Sequence, residues 1–561
     1  MAETPRDDEE TNATNPVGKT ENFVSKHFVR LLVCLAVSGG ALAIFGPWLL
    51  YVTGLTGETD ANLRLHILYV TGGTIAVLGL VETHRKNTTD RIKAEADIQN
   101  YQASQNYQSK TLENQTRQFT ENIAKEREKI KADKVKNEQD HIRQVHAERR
   151  SRYTTAIEQL SNDKASIRLG GIYSLVGLAD EWLADEIAIP NIEERRKEGQ
   201  VIINNLCAYI RSPFLLAERA EQLDEDYTKD PQIDFDGDKE KFGADKRSFA
   251  QEKAALEEER QIRQSIIKEI RERLQDIGTP NSWSKFDYNF SNAVFFYPTN
   301  FNGSLFGASS NFTQATFTRG ANFSEAKFTE DADFNEAIFT EDANFFETTF
   351  TEDANFFETT FTEYADFSEA TFTEYADFSE AKFTRAIFFG VTFTRYAGFF
   401  GTTFTIANFS RATFTENADF SKTTFTEDAD FSGATFTEDA DFSEATFTKG
   451  TRFFGVIFTW ANFFGATLTR TSFGGARFTQ GADFNGATFK NNPTFIAITL
   501  RGGSYSYYKA RFSHKADPED YNFEVSHDSP YKIETEEREH NGVKFVIPKG
   551  TELFGPDDPS S

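Results

Sequence analysis

Cysteine is scarce: Cys34 and Cys207 are the only two in 561 residues. That excludes a disulfide framework and fits a reducing compartment. Histidine is absent where the sequence is most regular; the eight are His27, His66, His84, His141, His146, His514, His527 and His540. His141 and His146 are five apart, on different faces of a helix and not at a metal-pair spacing. A basic excess is also missing, since 60 Lys and Arg face 87 Asp and Glu for a formal net charge of −27. Bulk electrostatics therefore disfavour direct nucleic-acid binding. No glycine-rich phosphate loop and no paired nucleophile and base appear. No catalytic residue, cofactor or metal site is assigned, and an enzyme is not expected.

Long apolar runs are few. Residues 31–53 are 23 in number and carry no charge, about 34 Å as a helix and enough to cross a bilayer core. Residues 65–81 form a second run of 17 with His66 at its edge, near the lower limit for a span. The polar stretch 1–30 ahead of them argues against a cleaved signal peptide. Gly39-x-x-x-Ala43 and Gly72, Gly73 and Gly79 suit close helix packing. Lys19, Lys26 and Arg30 precede the pair and Arg85, Lys86, Arg91 and Lys93 follow it, whereas Arg64 stands alone between. The expectation is a two-helix transmembrane anchor at 31–81 with both termini cytoplasmic and the first 30 residues as a polar tail.

From Glu82 to Leu160 the chain lacks proline and is rich in Gln, Lys and Glu. A helical stalk is expected over 82–152, on the order of 100 Å if unbroken. Its apolar residues Leu112, Phe119, Ile123, Ile130 and Ile142 make a ragged seam, short of a sustained coiled coil. Apolar density rises over 153–215 (Ile167, Leu169, Ile172, Leu175, Val176, Leu178, then VIINNLCAYIR), which predicts a small helical bundle. Arg168 among these residues is expected to pair with an acid such as Glu158 or Asp180, in a structural role. An acidic linker follows at 216–247. Its Asp234-Phe-Asp236-Gly-Asp238, with Asp245 twelfth, resembles a calcium loop, but Lys239 holds the place of the turn glycine. An amphipathic helix at 248–278, with Ile262, Ile266, Ile270 and Leu274 on one face, is placed to cap what comes next.

What is abundant is phenylalanine, 58 residues of it. From Phe290 to Leu500 a beat recurs forty times, 38 as Phe and twice as Leu, at intervals of five or six only. Neither a helix nor a simple strand has that period. Two residues before most beats stands Ala or Thr. All fifteen six-residue intervals follow the same one of two alternating kinds of unit, typified by Ala/Thr-Thr-Phe-Thr, and four times the six shrinks to five. Five is thus the basic unit, and the sixth residue is an outward insertion at a corner.

This five-residue unit resembles the pentapeptide-repeat family over about residues 286–500. The resemblance implies a right-handed, four-sided β-helix whose central and preceding small residues face inward, with Phe323, Phe328, Phe334, Phe339, Phe345 and Phe350 defining its core. Forty sides give ten coils, a rod of about 48 Å. Residues 501–561 would form a C-terminal cap and tail. The expected fold is therefore multi-domain: two transmembrane helices, a helical stalk, a small α-helical bundle and a right-handed quadrilateral β-helix.

Function is then sought on the outside of the rod. Glu330, Asp331, Glu341, Asp342, Glu352, Asp353, Glu427, Asp428, Glu438 and Asp439 are the candidate acidic interaction surface. From 325 to 380 there are 17 acidic residues and one basic, Lys327. The layout is similar to bacterial membrane-anchored pentapeptide-repeat proteins, which implies a plasma-membrane, non-enzymatic scaffold for an unknown, basic protein partner. Self-association through the stalk or the rod ends is a further expectation. The alternative implied by the family is a DNA mimic that regulates or protects a DNA-binding enzyme such as gyrase.

Overall fold

The computed structural model describes residues 23–55, 61–84, 97–275, 282–501 and 504–555. The polar tail before residue 23 and the basic cluster at 85–93 lie outside the described residues. The chain divides into two compact units, Met1–Lys136 and Asn137–Ser561.

In the first unit, α1 (Phe23–Val52) and α2 (Ala61–His84) pack together. Gly39, Ala43 and Pro47, four apart on one face of α1, are its buried stripe. A Cβ on Gly39 would stand 2.5 Å from Thr71 Cγ2, so the small-residue seam expected at Gly39 and Ala43 does bring the helices close. Gly72 and Gly73 face open space instead. Val37, Leu42, Phe45, Trp48 and Leu49 project outward from α1. Among the described residues one helix is long and apolar enough to cross a membrane, α1 over Leu32–Val52. The second expected span is not supported: the apolar run of α2 is short, interrupted by Thr71-Gly-Gly-Thr74 and bordered by Arg64 and His66. The helix α3 (Asp97–Leu160) starts in this unit and ends in the second.

The second unit begins with the end of α3 against α4 (Ala165–Ala184), fastened by Arg149–Asp185 at 2.7 Å and Arg152–Glu181 at 2.6 Å. With α5 (Ile192–Arg211), α6 (Ala220–Asp224) and α7 (Lys239–Leu274) it encloses Ile172, Leu175, Leu178, Ile203, Leu206, Ile262, Ile266 and Ile270. Arg168 pairs with Glu259 at 3.4 Å, not with Glu158 or Asp180. Asp180 is taken by Arg273 at 2.8 Å and by the Trp283 indole N–H at 2.8 Å. The loop compared with a calcium site is otherwise engaged: Asp238 caps α7 by accepting from the N–H groups of Glu240 and Lys241, and Asp245 binds Tyr227 and Lys229.

The bundle closes one end of the rod. The Gln200 side chain exchanges two hydrogen bonds with the Asp287 backbone, at 2.8 and 2.9 Å. Arg263, buried on α7, lies 5.3 Å over the Phe296 ring. Asp224 accepts from Arg260 at 2.5 and 2.6 Å and from Arg319, on the second coil, at 2.6 Å. These bonds, those from Arg260 first, hold the Asp224 carboxyl at about 2, below its ordinary value of 3.8.

From Tyr288 the chain winds in short parallel strands stacked at a repeat of 20, 21 or 22 residues. One side runs Ser310, Ala332, Ala354, Ala376, Ala397, Ala418, Ala440, Ala461, Ala482. Four such sides enclose four columns of rings, and Phe323, Phe328, Phe334, Phe339, Phe345 and Phe350 are all buried. Successive rings in a column lie parallel, as Phe334 and Phe356 at 4.9 Å and 0°. Rings facing each other across a coil meet edge-on, as Phe345 and Phe356 at 5.6 Å and 88°.

Two kinds of corner alternate. At one, an Asp or Asn before the beat accepts the N–H of the residue after it, as Asp333 from Asn335 at 2.9 Å. The next residue is left-handed, as Glu336 at φ 55°, and the Ala337 N–H then returns to the Phe334 carbonyl at 3.0 Å. This is a β-turn with a left-handed third residue, a place that suits glycine. Gly fills it at 303, 390, 401, 433, 455, 465, 475 and 486, and side chains, mostly Glu, fill it elsewhere. The second kind of corner carries the optional sixth residue. Phe361 pairs with Phe383 and Tyr364 with Arg385, so the extra residue is absorbed between them, outside the core.

The rod makes about nine turns between Phe290 and Phe484, where ten coils were expected. Leu500 does not take the last beat. Its segment, Ile496–Arg501, leaves the coil as an antiparallel hairpin with Ser504–Lys509, and Phe512 takes the vacated place, stacked on Phe478 at 4.9 Å. The residue two before Leu500 is Ile498, larger than the Ala, Thr, Ser, Val or Pro that stand at that site along the rod, whereas Ala510-Arg-Phe512 restores the motif. Gly474 seats the hairpin, since a Cβ there would lie 2.3 Å from Ala497 Cβ. The end is completed by Phe523 over Phe484 and by the strand Glu552–Phe554 beside Arg511–Ser513.

Two outcomes are expected from these contacts. Glu347→Val, at φ 53°, should cost about 1–2 kcal/mol more than Glu352→Val, because a β-branched residue is strained in the left-handed region and not at the second corner; denaturant unfolding of both variants measures it. For Asp224, whose folded pKa is depressed to about 2, the stabilisation is present above the unfolded value of about 3.9 and lost as pH falls through the folded one. Asp224→Asn should therefore lower the thermal midpoint at pH 7, and its difference from the native chain should shrink as pH falls from about 4 through about 2.

Candidate interaction surface

A side chain at either corner type points into solvent, and the repeat stacks it on its counterpart one coil away. Pairing of Ala332 with Ala354 sets Glu330-Asp331 beside Glu352-Asp353 on one corner. Ala343, paired with Ala321 and Ala365, carries Glu341-Asp342 on the opposite corner. All of these are exposed. Glu438-Asp439 shares the first corner and Glu427-Asp428 the second, but neither adjoins the earlier set. Glu374-Tyr375, Arg395-Tyr396 and Glu416-Asn417 intervene on one, and Glu363-Tyr364, Arg385 and Ile406 on the other. The ten nominated residues thus form separate groups, not continuous columns.

Their partners differ as well. Glu341 accepts from Arg319 at 2.9 Å, and Glu427 is held by Lys449. Asp342 and Asp353 each accept a backbone N–H from the next coil, of Tyr364 at 3.3 Å and Tyr375 at 3.2 Å. Among the described residues no ion pair reaches Glu330, Asp331 or Glu352. Burial and then Asp366 push the Tyr364 phenol up, and burial and then Asp377 do so for Tyr375, so both rings stay neutral and add no charge to the corners.

The remaining acids of the site are counted in the sequence, but their placement at corners comes from the structure. At the left-handed corners Glu325, Glu347 and Glu369 stack along one edge, and Glu336, Glu358 and Glu380 along another, all exposed. Residues 325–380 therefore carry acids on all four corners of the same coils. Neighbours in a column, one coil or about 4.8 Å apart, repel by about 0.9 kcal/mol even in water. The signal was available: Glu alternates with Gly two residues after the beat, and Asp or Asn stands one before it, the chemistry of a tight turn. Beyond 380 the band is broken. Arg411 lies 5.5 Å over Phe389 and Lys422 5.2 Å over Phe400, and Arg395 pairs with Glu374 at 3.1 Å.

Comparison with known families agrees with the geometry. Pentapeptide-repeat models match residues 312–360 and 409–457, and residues 440–480 and 457–491. No curated protein matches the chain. The matched stretches lie on the stacked coils and share their five-residue unit: the chain is a pentapeptide-repeat protein whose repeat region winds as a β-solenoid.

Proposed function

We propose that the chain is a non-enzymatic interaction scaffold, which engages a basic partner protein through the acidic band at 325–380 and is held at the plasma membrane through α1. The observation that carries this reading is the presence of carboxylates on all four corners of the same coils, with Glu330, Asp331 and Glu352 in no ion pair among the described residues. A partner presenting Lys or Arg would relieve their mutual repulsion at contact, with strong dependence on salt. Both rod ends are covered, one by the helical bundle and the other by residues 510–555. The lateral corners are therefore the faces open to a partner.

The second reading, a DNA mimic acting on an enzyme such as gyrase, is favoured by charge density. Seventeen acids between 325 and 380 occupy about 12 Å of rod, about one per 0.7 Å, against about one per 1.7 Å in duplex DNA. The band is also short, fewer than four base pairs at about 3.4 Å each. That length suits a compact basic patch better than a DNA-binding groove.

The test replaces Glu330, Asp331, Glu352 and Asp353 by Lys and compares crosslinked captures from native membranes. The expected outcome is loss of a basic partner that the native chain retains, with capture weakening as salt rises. Recovery of topoisomerase subunits by the native chain alone would transfer support to the mimic. Identical captures from both proteins would remove the acidic band from the function.

A further inference from the structure

From Lys110 to His141 every residue of α3 is exposed except Ile123, which is half-buried. Three of these are large apolar side chains with two thirds of their surface in water: Leu112 at 67%, Phe119 at 66% and Ile130 at 64%. With Ile123 they fall within about 40° of one another around the helix, a line about 27 Å long parallel to its axis. Their spacing of seven, four and seven is the same read in either direction. Two copies of the stripe laid antiparallel therefore put Leu112 opposite Ile130 and Phe119 opposite Ile123, matching all four of its residues; Val135, also exposed, lies on another face.

We propose that this stripe joins two copies of the chain as an antiparallel helix pair. The charges select the direction. On the first half Glu113 flanks the stripe and Glu121 is paired with Arg117 at 3.1 Å, whereas on the second Lys129, Lys131, Lys134 and Lys136, with Lys125 and Arg127, outnumber Glu126, Glu128 and Asp133. Antiparallel pairing sets Glu113 beside Arg127 of the second copy, twice over by symmetry. Parallel pairing sets Lys129 beside Lys134 of the second copy and gathers both basic halves together, so the favoured pair is the one that carries the two α3 N-termini at opposite ends. Thr116 and Glu126 meet in the layer between the two apolar pairs, a polar step that fixes register. The inference is independent of the acidic band on the rod.

The test uses the full chain in detergent with Cys34→Ser, leaving the buried Cys207 in place. Leu112→Cys and Ile130→Cys chains are oxidised separately and as a mixture. Disulfide-linked dimers confined to the mixture are the expected result. Dimers formed by each variant alone would mean parallel pairing and overturn the proposal. A monomer mass in sedimentation at micromolar concentration, without crosslinks in the mixture, would overturn it too. Arg127→Glu should weaken association about tenfold and Glu113→Arg in the same chain should restore it, whereas a change in the helix alone would not be rescued.

Discussion

Parallel strands joined coil to coil by backbone hydrogen bonds repeat at about 4.8 Å, and the stacked rings of the rod repeat at the same distance. Phe295 and Phe317 stand 4.5 Å apart, Phe350 and Phe372 4.7 Å, Phe367 and Phe388 4.9 Å. A flat ring tolerates this spacing in a parallel offset and meets its neighbour across the coil edge-on, both favoured geometries. Four rings fill each cross-section, so the small residue two before each beat is a steric requirement. The same triplet closes both ends, Tyr288-Asn-Phe290 and Tyr521-Asn-Phe523. There the larger ring takes the small residue's place and its hydroxyl donates to a carbonyl, of Trp283 at 3.1 Å or of Phe478 at 3.1 Å.

With the interior so constrained, variation is pushed to the corners. A corner accepts an extra residue, as at Tyr364, or loses it, as at Arg385, and the beat continues. It accepts Glu or Gly at a left-handed position, or a Trp460 laid across Gly481. The acidic band is such a variation, confined to two and a half turns of an otherwise mixed surface. That confinement links the fold to a function in recognition: the rings hold each corner in register with its counterparts, so charge chosen at one position is repeated along an edge.

The repeating part of this architecture was legible because its period is imposed by packing within a few residues. The beat, the small residue before it and the outward insertion follow from local sequence, as does the apolar face of α7 at Ile262, Ile266 and Ile270, while the inward facing of the small residue came from the family resemblance. What was misjudged depended on distant partners or on size. Arg168 finds Glu259, 91 positions along the chain, where only nearby acids had been considered. Leu500 kept the spacing and lost the place, with Ile498 standing where a smaller residue is usual. α2 has the length of a membrane span with too many polar residues along it. The corner glutamates were read as surface charge, although turn geometry fixes where they stand.

The central claim is that inward rings, and not aromatic content as such, hold the rod. Phe345 and Phe346 are adjacent and chemically identical; Phe345 is buried in the core, and Phe346 lies half-exposed outside it. Equilibrium unfolding of Phe345→Ala and Phe346→Ala compares them directly. The account predicts a loss of about 3–5 kcal/mol for the first and under about 1 kcal/mol for the second. Equal losses would contradict it.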